Sequence, residues 1–339
     1  MEILSKINPE HISRNFQIDF YSLSGKTYDK LGQYPQAFKS FCEQNDIIKL
    51  ANQKKLENPK IYYEETKALK EAWEITKINT TNSSDYFLHE NLVFLSGFPR
   101  TGTTLLDTIL MGHPDIVVLE EQPMAALMGT NFDGLGTPSE YLNISEEDAL
   151  NLRKTYIDEL MKRLGNKEES KVIIDKHPLN TRYIPLLKKA FPNAKFIITL
   201  RHPCDCILSC FMQNFEFNAG MGNFLNLEDS AKLYSVTMGL WVALERKLNL
   251  NFKTVRYEDL IQDAEGVSKS LINFLNLTWD ANILDHRKTA RNRGQISTAS
   301  YNQVTQDIYK TSRGRWKNYE RELSQVIPDL APYIKKFGY

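Results

Sequence analysis

Residues 92–106, LVFLSGFPRTGTTLL, decide the fold of this chain. The first six residues form a short apolar run that ends at Gly97, a pattern typical of a buried parallel strand. A helix pattern begins at Thr103. A loop that follows a buried strand and leads into a helix directs backbone N–H groups at an anion. The stretch therefore predicts an anion-binding loop. If the loop sequence is considered without the rest of the chain, a glycine-containing turn that binds no ligand is the alternative.

The residues of the loop narrow the choice of anion. In the nucleoside-triphosphate pattern GxxxxGK[ST], a lysine stands where this chain has Thr103. That lysine neutralises the β- and γ-phosphates, so its absence argues against ATP or GTP hydrolysis. Arg100 provides a positive charge earlier in the loop, and Thr104 adds a hydroxyl donor. Gly97 and Gly102 allow the backbone to approach the anion closely.

Four more apolar segments repeat the strand pattern, at residues 116–119, 172–175, 195–200 and 252–257. Helical patterns lie between them, at residues 145–164, 184–191, from about 205, and 228–249. Short buried strands that alternate with helices predict an α/β fold in which helices flank a parallel sheet. We assign residues 89–339 to this domain, and together with the loop they predict a P-loop nucleotide-binding fold.

Residues 1–88 have a different character, because they are polar and helical in pattern. Within this small N-terminal α-helical segment, residues 21–41 resemble one tetratricopeptide unit, in which a helix ends in Leu-Gly-x-Tyr and a second helix follows. A plain helical hairpin is the alternative. One unit cannot form a stable array by itself. We therefore expect the hairpin to pack on the main domain, or to be the last unit of a longer array.

The bulk composition argues against several classes of function. Lys and Arg number 42, as do Asp and Glu, so the formal net charge is zero, whereas proteins that bind nucleic acid or anionic membranes usually have a basic excess. No segment is apolar over the length of a membrane span. Residues 1–16 carry charges where a signal peptide needs an apolar run, so we expect a cytoplasmic protein. The four cysteines lack metal-ligand spacing and predict reduced thiols without a metal site.

The loop GFPRTGTT, residues 97–104, resembles the 5′-phosphosulfate loop of the sulfotransferases, whose pattern is P-[KR]-[ST]-G-T-T. Further blocks follow in the order of that family: DKHPLN at 175–180, AFPNAKFI at 190–197, RHPCDCILS at 201–209, YEDL at 257–260, TASYNQV at 298–304 and RGRWKNY at 313–319. The resemblance covers roughly residues 90–325. It looks closest to bacterial sulfotransferases with tetratricopeptide units, which are similar to the tyrosylprotein sulfotransferases. It implies 3′-phosphoadenosine 5′-phosphosulfate (PAPS) as donor, 3′-phosphoadenosine 5′-phosphate (PAP) as product, and no requirement for a metal.

The resemblance also implies which residues bind the donor. Arg201 follows a strand and Ser209 lies two helical turns further on, a spacing that suits a phosphate clamp; by resemblance they bind the 3′-phosphate. Arg315 matches a phosphate-binding lysine of the tyrosylprotein enzymes, and Trp316 is expected to pack near the nucleotide or in the core. The full predicted donor-binding set is Pro99, Arg100, Thr101, Gly102, Thr103, Thr104, Arg201, Ser209, Tyr257, Arg313, Gly314, Arg315 and Trp316.

Sulfuryl transfer needs a cation at the leaving oxygen and a base at the acceptor oxygen. Arg100 and Lys176 are the predicted cations, and Lys176 follows a buried strand, where lysine is otherwise rare. Glu120 and Glu121 end another strand, at the edge where α/β active sites lie. By resemblance, Glu121 matches the catalytic glutamate of the tyrosylprotein enzymes, so we favour it as the base and leave Glu120 a structural role. His177 is the alternative base, because cytosolic small-molecule sulfotransferases use a histidine in this region.

Three whole-chain functions fit these residues. The leading interpretation is a PAPS-dependent sulfotransferase that acts on a hydroxyl or phenol. A P-loop enzyme that resembles nucleotide kinases is the second, and the absent loop lysine counts against it. The third is a non-catalytic scaffold whose helical N-terminus recruits a protein partner, and the retained site residues count against that. The acceptor stays open between a peptide tyrosine, a sugar, a lipid and a small phenol.

Overall fold

The sheet consists of five parallel strands. The computed structural model describes residues 6–77, 91–164, 171–292 and 313–339. The strands are β1 Leu92–Gly97, β2 Ile116–Glu120, β3 Val172–Lys176, β4 Lys195–Leu200 and β5 Asn251–Arg256. They lie in the order β2-β3-β1-β4-β5, and every neighbouring pair is parallel. This confirms the predicted α/β fold with a parallel sheet.

Helices connect these strands and precede and follow the sheet. None in the described ranges is long and apolar enough to cross a bilayer. Short 3-10 helices are also present, among them Arg315–Tyr319. The α-helices are α1 Arg14–Lys30, α2 Tyr34–Ala51, α3 Glu57–Ile75, α4 Thr103–Leu110, α5 Met124–Phe132, α6 Pro138–Asn143, α7 Glu146–Leu164, α8 Ile184–Ala190, α9 Pro203–Phe211, α10 Leu227–Lys247, α11 Tyr257–Gln262, α12 Ala264–Phe274, α13 His286–Asn292, α14 Glu320–Leu323 and α15 Ile327–Lys336.

The element boundaries follow from local hydrogen bonds. Helix α7 begins after a reciprocal cap, because the Asp148 N–H donates to Ser145 Oγ and the Ser145 N–H donates to the Asp148 carboxylate, both at 3.1 Å. Strand β3 runs one residue further than predicted, because its ladder with β2 continues to the pair of Glu120 and Lys176. This last pair places the predicted cation Lys176 beside Glu120, the residue that precedes the predicted base Glu121.

The core lies on both faces of the sheet, because successive strand residues point to opposite faces. On one face, buried Val93 and Leu95 of β1 belong to a cluster with Leu106 of α4 and Leu271 of α12. On the other face, Phe94 packs against an aromatic group made by Tyr156, Phe191 and Phe196, with ring centroids 5.4–5.9 Å apart. Burying each such side chain contributes about 1.5–3 kcal/mol. The two clusters hold the sheet, and with it the carboxyl ends of the strands, in place.

Contacts divide the described residues into two compact units. The sheet unit comprises the described residues of Thr66–Arg201 and Thr237–Lys310. The helical unit comprises the described residues of Met1–Glu65, His202–Val236 and Thr311–Tyr339. The predicted domain boundary near residue 88 falls at residues 78–90, outside the described part of the chain. The division into residues 1–88 and 89–339 therefore stays a prediction.

In the helical unit, α1 and α2 form the hairpin that the sequence predicts. Gly32 at the turn has a φ of 72°, which favours glycine. Gly25 of α1 faces Phe41 of α2 so closely that an added Cβ would lie 2.8 Å from the ring. Helix α2 also contacts the end of α9, where Phe38 stacks on Phe211 with centroids 5.1 Å apart. The hairpin thus packs on the rest of its unit, and its assignment as a tetratricopeptide unit stays a prediction.

Candidate functional site

The loop after β1 is built around a close backbone approach at Gly97. A Cβ at this position would lie 2.3 Å from Thr199 Oγ1 and 2.8 Å from the Thr199 carbonyl oxygen, so only glycine fits. Thr101 Oγ1 donates to the Phe98 carbonyl at 2.7 Å and lies 2.6 Å from Thr199 Oγ1. These contacts hold the first turn of the loop against the end of β4.

The second half of the loop turns into α4 through two left-handed residues. Arg100 has a φ of 69° and Gly102 has a φ of 92°. Tyr257 packs on the loop so tightly that a Cβ on Gly102 would lie 2.6 Å from its ring. The Arg201 guanidinium stacks over the same ring at 4.8 Å and donates to the Arg100 carbonyl at 3.0 Å. The structure thus brings the loop, Arg201 and Tyr257 together at the N-terminus of α4, and helix N-termini favour anions.

The chain beyond β3 runs alongside this loop. The His177 N–H donates to the Leu95 carbonyl at 3.0 Å, and the Leu179 N–H donates to the Gly97 carbonyl at 3.1 Å. Beyond β2, the Glu121 N–H donates to the Lys176 carbonyl at 2.7 Å. The carboxyl ends of β1, β2 and β3 therefore place the loop, the predicted cation and the predicted bases at one edge of the sheet.

The ammonium of Lys176 is the centre of this edge. The side chain is fully buried, and Nζ donates to Glu121 Oε1 at 2.8 Å and to Glu120 Oε1 at 3.1 Å. A third carboxylate, Asp107, has Oδ2 at 3.4 Å from Nζ. Burial by itself lowers the pKa of Lys176, but the three carboxylates outweigh it and raise that pKa, so the ammonium stays charged.

Sequence reasoning missed Asp107. This residue is fully buried on α4, one turn after Thr103, and its Oδ1 accepts a hydrogen bond from Thr108 Oγ1 at 3.1 Å. The available signal was an aspartate inside TTLLDTIL, a helix whose other residues are apolar or threonine. A buried carboxylate in such a helix needs a cation, and Lys176 is that cation.

Glu120 and Glu121 differ in their exposure. The Glu120 side chain is 13% exposed and ends β2, whereas the Glu121 side chain is 40% exposed and lies just beyond the strand. Glu121 has a φ of 51°, a left-handed conformation that is uncommon outside glycine and turns its side chain away from the strand direction. Glu121 is therefore the more solvent-exposed carboxylate of this pair.

His177, the alternative base, is mostly buried. Its Nδ1 lies 2.6 Å from the Pro178 carbonyl oxygen, so Nδ1 carries the proton and donates it to this bond. Burial lowers the pKa of His177, which keeps the ring neutral. With Nδ1 protonated, Nε2 is the nitrogen that can accept a proton. The geometry thus leaves His177 chemically competent and does not choose between it and Glu121.

Asp175 precedes Lys176 in β3 and points to the opposite face of the sheet, into the aromatic core. It is buried, Tyr156 Oη donates to Oδ2 at 2.7 Å, and Oδ1 accepts no hydrogen bond from the described residues. Burial raises the pKa of Asp175 to about 7, even though the hydrogen bond from Tyr156 opposes the shift. The folded protein therefore retains a proton here that the unfolded chain releases.

The raised pKa of Asp175 predicts that the free energy of unfolding depends on pH. Because the pKa of Asp175 rises from 3.8 to about 7 on folding, the free energy of unfolding should fall as pH rises from 4 to 7 and then level off. Relative to Asp175→Asn, the wild type should lose roughly 3 kcal/mol between pH 5 and pH 8. Urea unfolding of both proteins across this range measures the difference, and parallel curves would contradict the assignment.

The remaining predicted donor-binding residues belong to the helical unit. Ser209 is partly buried on α9 and Arg313 is exposed. Gly314 has a φ of 70°, Arg315 forms an ion pair with Asp29, and the Trp316 ring stacks on His202 at 4.8 Å. In this unit Trp316 thus packs on a protein ring, and its contact with a nucleotide stays a prediction.

The cysteines form no disulfide among the described residues. Cys204, Cys206 and Cys210 are buried on α9, and Cys42 is partly buried. Burial, with the nearby Asp205 carboxylate, raises the pKa of the Cys204 thiol to about 12, so this thiol stays protonated. Across the described ranges, no group of three or more His, Cys, Asp or Glu side chains is arranged to hold a metal ion.

Comparison with protein families matches this chain to a model described as "Sulfotransferase family" over residues 93–281. That range includes the loop, Glu121, Lys176, Arg201 and Tyr257. The chain belongs to the sulfotransferase family. Membership confirms the resemblance that the sequence motifs predict. It counts against the second interpretation, a P-loop enzyme that resembles nucleotide kinases.

This sulfotransferase has relatives across distant organisms. It is 29% identical over 254 residues to an uncharacterised protein of Aquifex aeolicus, covering 72% of this chain but only 33% of that protein. It is 24% identical to a putative protein-tyrosine sulfotransferase of Caenorhabditis briggsae, covering 74% of this chain and 89% of the relative. The solved sulfotransferase domain of the Synechococcus PCC 7002 olefin synthase is 20% identical, with a TM-score of 0.49, 71% of this chain covered and 90% of that domain. This sulfotransferase thus spans about a third of its Aquifex relative.

Proposed function

We propose that this sulfotransferase moves the sulfuryl group of PAPS to a hydroxyl or phenol oxygen by in-line displacement. The observation that carries the proposal is the buried ammonium of Lys176 between Asp107, Glu120 and Glu121, at the sheet edge that also holds the loop. A charged donor at this position stabilises negative charge on a leaving oxygen. A carboxylate beside it accepts the proton of an attacking hydroxyl.

The donor is proposed to bind mainly through the loop. The N-terminus of α4 and Arg100 face the 5′-phosphosulfate, and Arg201 binds the 3′-phosphate that distinguishes PAPS from ordinary adenylates. The stacking of Arg201 on Tyr257 orders its guanidinium before the donor arrives. Ser209 and residues 313–316 belong to the helical unit, and their part in donor binding rests on the family motifs alone.

The chemical step follows from the contacts of Lys176. An ammonium has three N–H donors, and here three carboxylates surround it. To stabilise the leaving phosphate oxygen, Lys176 must release one carboxylate. Glu121 is the most exposed of the three, so we propose that it is the carboxylate that Lys176 releases. Its release supplies both a donor for the leaving oxygen and a base for the acceptor.

The proposed transfer moves one proton and one electron pair, and residues of the site receive or stabilise both. As the acceptor oxygen bonds to sulfur, its proton passes to the Glu121 carboxylate. The bond between sulfur and the bridging phosphate oxygen breaks, and the electron pair stays on that oxygen beside Lys176. Asp107 and Glu120 keep the ammonium in place. Because the relative from Caenorhabditis briggsae is named as a putative protein-tyrosine sulfotransferase, tyrosine peptides are the first acceptors to test, followed by small phenols, sugars and lipids.

Thermal unfolding with PAP tests the donor directly. PAP at 100 times its Kd is expected to stabilise the wild type by about 2.7 kcal/mol. Arg201→Ala should abolish the shift, whereas Arg14→Ala, at an exposed position, should keep it. AMP and ATP–Mg²⁺ serve as controls, and a shift with ATP–Mg²⁺ but not with PAP would refute the proposal. Binding of PAP without turnover of PAPS on any acceptor would favour the scaffold interpretation.

A further inference from the structure

The turn that joins β2 to α5 consists of Glu121, Gln122 and Pro123, so the predicted base lies within it. Glu121 has a φ of 51°, a left-handed conformation that a residue other than glycine keeps only when its surroundings impose it. The peptide group between Glu120 and Glu121 is hydrogen-bonded at both ends. Its N–H donates to the Lys176 carbonyl at 2.7 Å, and its C=O accepts from Gln122 Nε2 at 2.9 Å.

The side-chain amide of Gln122 satisfies its contacts in one orientation only. Arg163 Nε donates to Gln122 Oε1 at 2.7 Å. A guanidinium only donates hydrogen bonds and a carbonyl only accepts them, so the amide oxygen must face Arg163 and the amide nitrogen must face the Glu120 carbonyl. Gln122 also precedes Pro123, and a residue before proline is largely confined to extended backbone. Gln122 therefore bridges α7 and the end of β2 in a defined conformation.

Arg163 is anchored on a helix that is itself fixed to the sheet. It lies in the last turn of α7, where Nη1 donates to the Glu159 carbonyl at 3.1 Å and also contacts the Glu159 carboxylate. Earlier in α7, the hydroxyl of buried Tyr156 donates to Asp175 of β3. The contacts thus form a closed path that leaves β3 at Asp175 and returns to it at the Lys176 carbonyl. Every residue of this path belongs to the sheet unit.

We propose that Gln122 and Arg163 are positioning residues that hold the Glu121 backbone in the conformation from which its carboxylate takes the acceptor's proton. This inference rests on the proposed function, in which Glu121 is the base. The Glu121 side chain is 40% exposed, so its direction depends more on the backbone that carries it than on packing. A displacement of about 1 Å in a reacting group can cost up to about 10²-fold in rate. Gln122 and Arg163 thus act on the reaction through Glu121.

Assays of sulfuryl transfer from PAPS to a tyrosine peptide or phenol test this role on the full chain. Gln122→Met keeps the length of the side chain but removes both amide contacts, and we expect it to lower kcat about tenfold. The Kd for PAP should match that of the wild type, because none of the residues that we assign to the phosphates is altered. Gln262→Met, at an exposed position on α11, is the matched control and should change neither quantity.

The anchor of Gln122 gives an independent pair of variants. Arg163→Met removes the donor to Gln122 Oε1 and should also lower kcat. Arg163→Lys keeps a donor and should recover part of that loss. If Gln122→Met does not fold, as judged by urea unfolding, this pair carries the same test.

Two further measurements separate positioning from a general loss of structure. Because Gln122 acts through Glu121, Gln122→Met should cause no further loss of kcat in a Glu121→Gln background. Hydrogen exchange of the Glu121 amide should be about tenfold faster in Gln122→Met, since its bond to the Lys176 carbonyl then opens more often. The exchange measurement needs neither donor nor acceptor.

The outcomes distinguish this inference from the proposed function. If Glu121→Gln is inactive while Gln122→Met has the kcat of the wild type, the positioning role is overturned and the assignment of the base stands. A further loss of kcat in the Glu121→Gln background, or unchanged exchange of the Glu121 amide, would also overturn it. If Glu121→Gln keeps a normal kcat, Glu121 is not the base, and this inference falls with that part of the proposed function.

Discussion

Lys176→Ala is expected to lower kcat/KM for sulfuryl transfer from PAPS by about 10³-fold, because it removes the fully buried cation that we assign to the leaving oxygen. It should also destabilise the protein by about 3–5 kcal/mol, since the fully buried Asp107 carboxylate loses its cationic partner Lys176. Release of PAP from PAPS in the presence of a tyrosine peptide or phenol measures the first effect, and urea unfolding measures the second.

A second variant separates these two effects. Lys176→Met with Asp107→Asn removes the two fully buried charges together, so most of the lost stability should return while kcat/KM stays about 10³-fold below the wild type. Lys154→Ala, at an exposed position on α7, is the matched control and should change neither quantity. If Lys176→Met with Asp107→Asn is stable and turns over PAPS normally, then Lys176 is a structural cation and has no part in the reaction.

Glu121→Gln is expected to lower kcat by about 10²–10³-fold, because an amide cannot accept the acceptor's proton. The Kd for PAP should change far less than kcat, since Glu121 is linked to the proposed phosphate-binding residues only through Lys176. Single-turnover assays with an acceptor, together with PAP titration, measure the two quantities. Glu147→Gln, at an exposed position, is the matched control.

If His177 is the base, the relative losses of kcat in the two variants should be reversed. If His177 takes the proton through Nε2, His177→Asn should cause the large loss in kcat and Glu121→Gln only a small one. If Glu121 is the base, His177→Asn should alter kcat by no more than a few fold, because its role is then the packing of the loop after β3. Equal large losses in both variants would contradict the assignment of a single base.

The fold was predictable because its signals are local. A run such as LVFLSG identifies a buried strand by its composition, and alternation with helices then implies the parallel sheet. The proximity of Glu121 and Lys176 was also predictable in outline, since carboxyl ends of parallel strands meet at one edge. Their ion pair was not, because which charges pair there depends on the register between β2 and β3.

The contacts that escaped prediction are those between distant elements. Asp29 and Arg315 are 286 positions apart, and neither stands in a pattern that requires the other. Asp107 was missed because the helix pattern marks which residues are buried, whereas its partner Lys176 lies on a separate element, strand β3. Charge pairs over such separations follow from the tertiary packing, which no local periodicity contains.

Strand β3 carries a consequence for how this chain can change over evolutionary time. Asp175 and Lys176 are adjacent and face opposite sides of the sheet, one among aromatic rings and the other among carboxylates. An insertion or deletion of one residue in β3 would exchange the two sides and set a lysine in the aromatic core and an aspartate beside Glu120 and Glu121. A substitution at either position changes one side chain and leaves the other in place. A change in the length of β3 misplaces both side chains at once. Lineages of this protein should therefore vary in length in their loops and keep the number of residues in this strand constant.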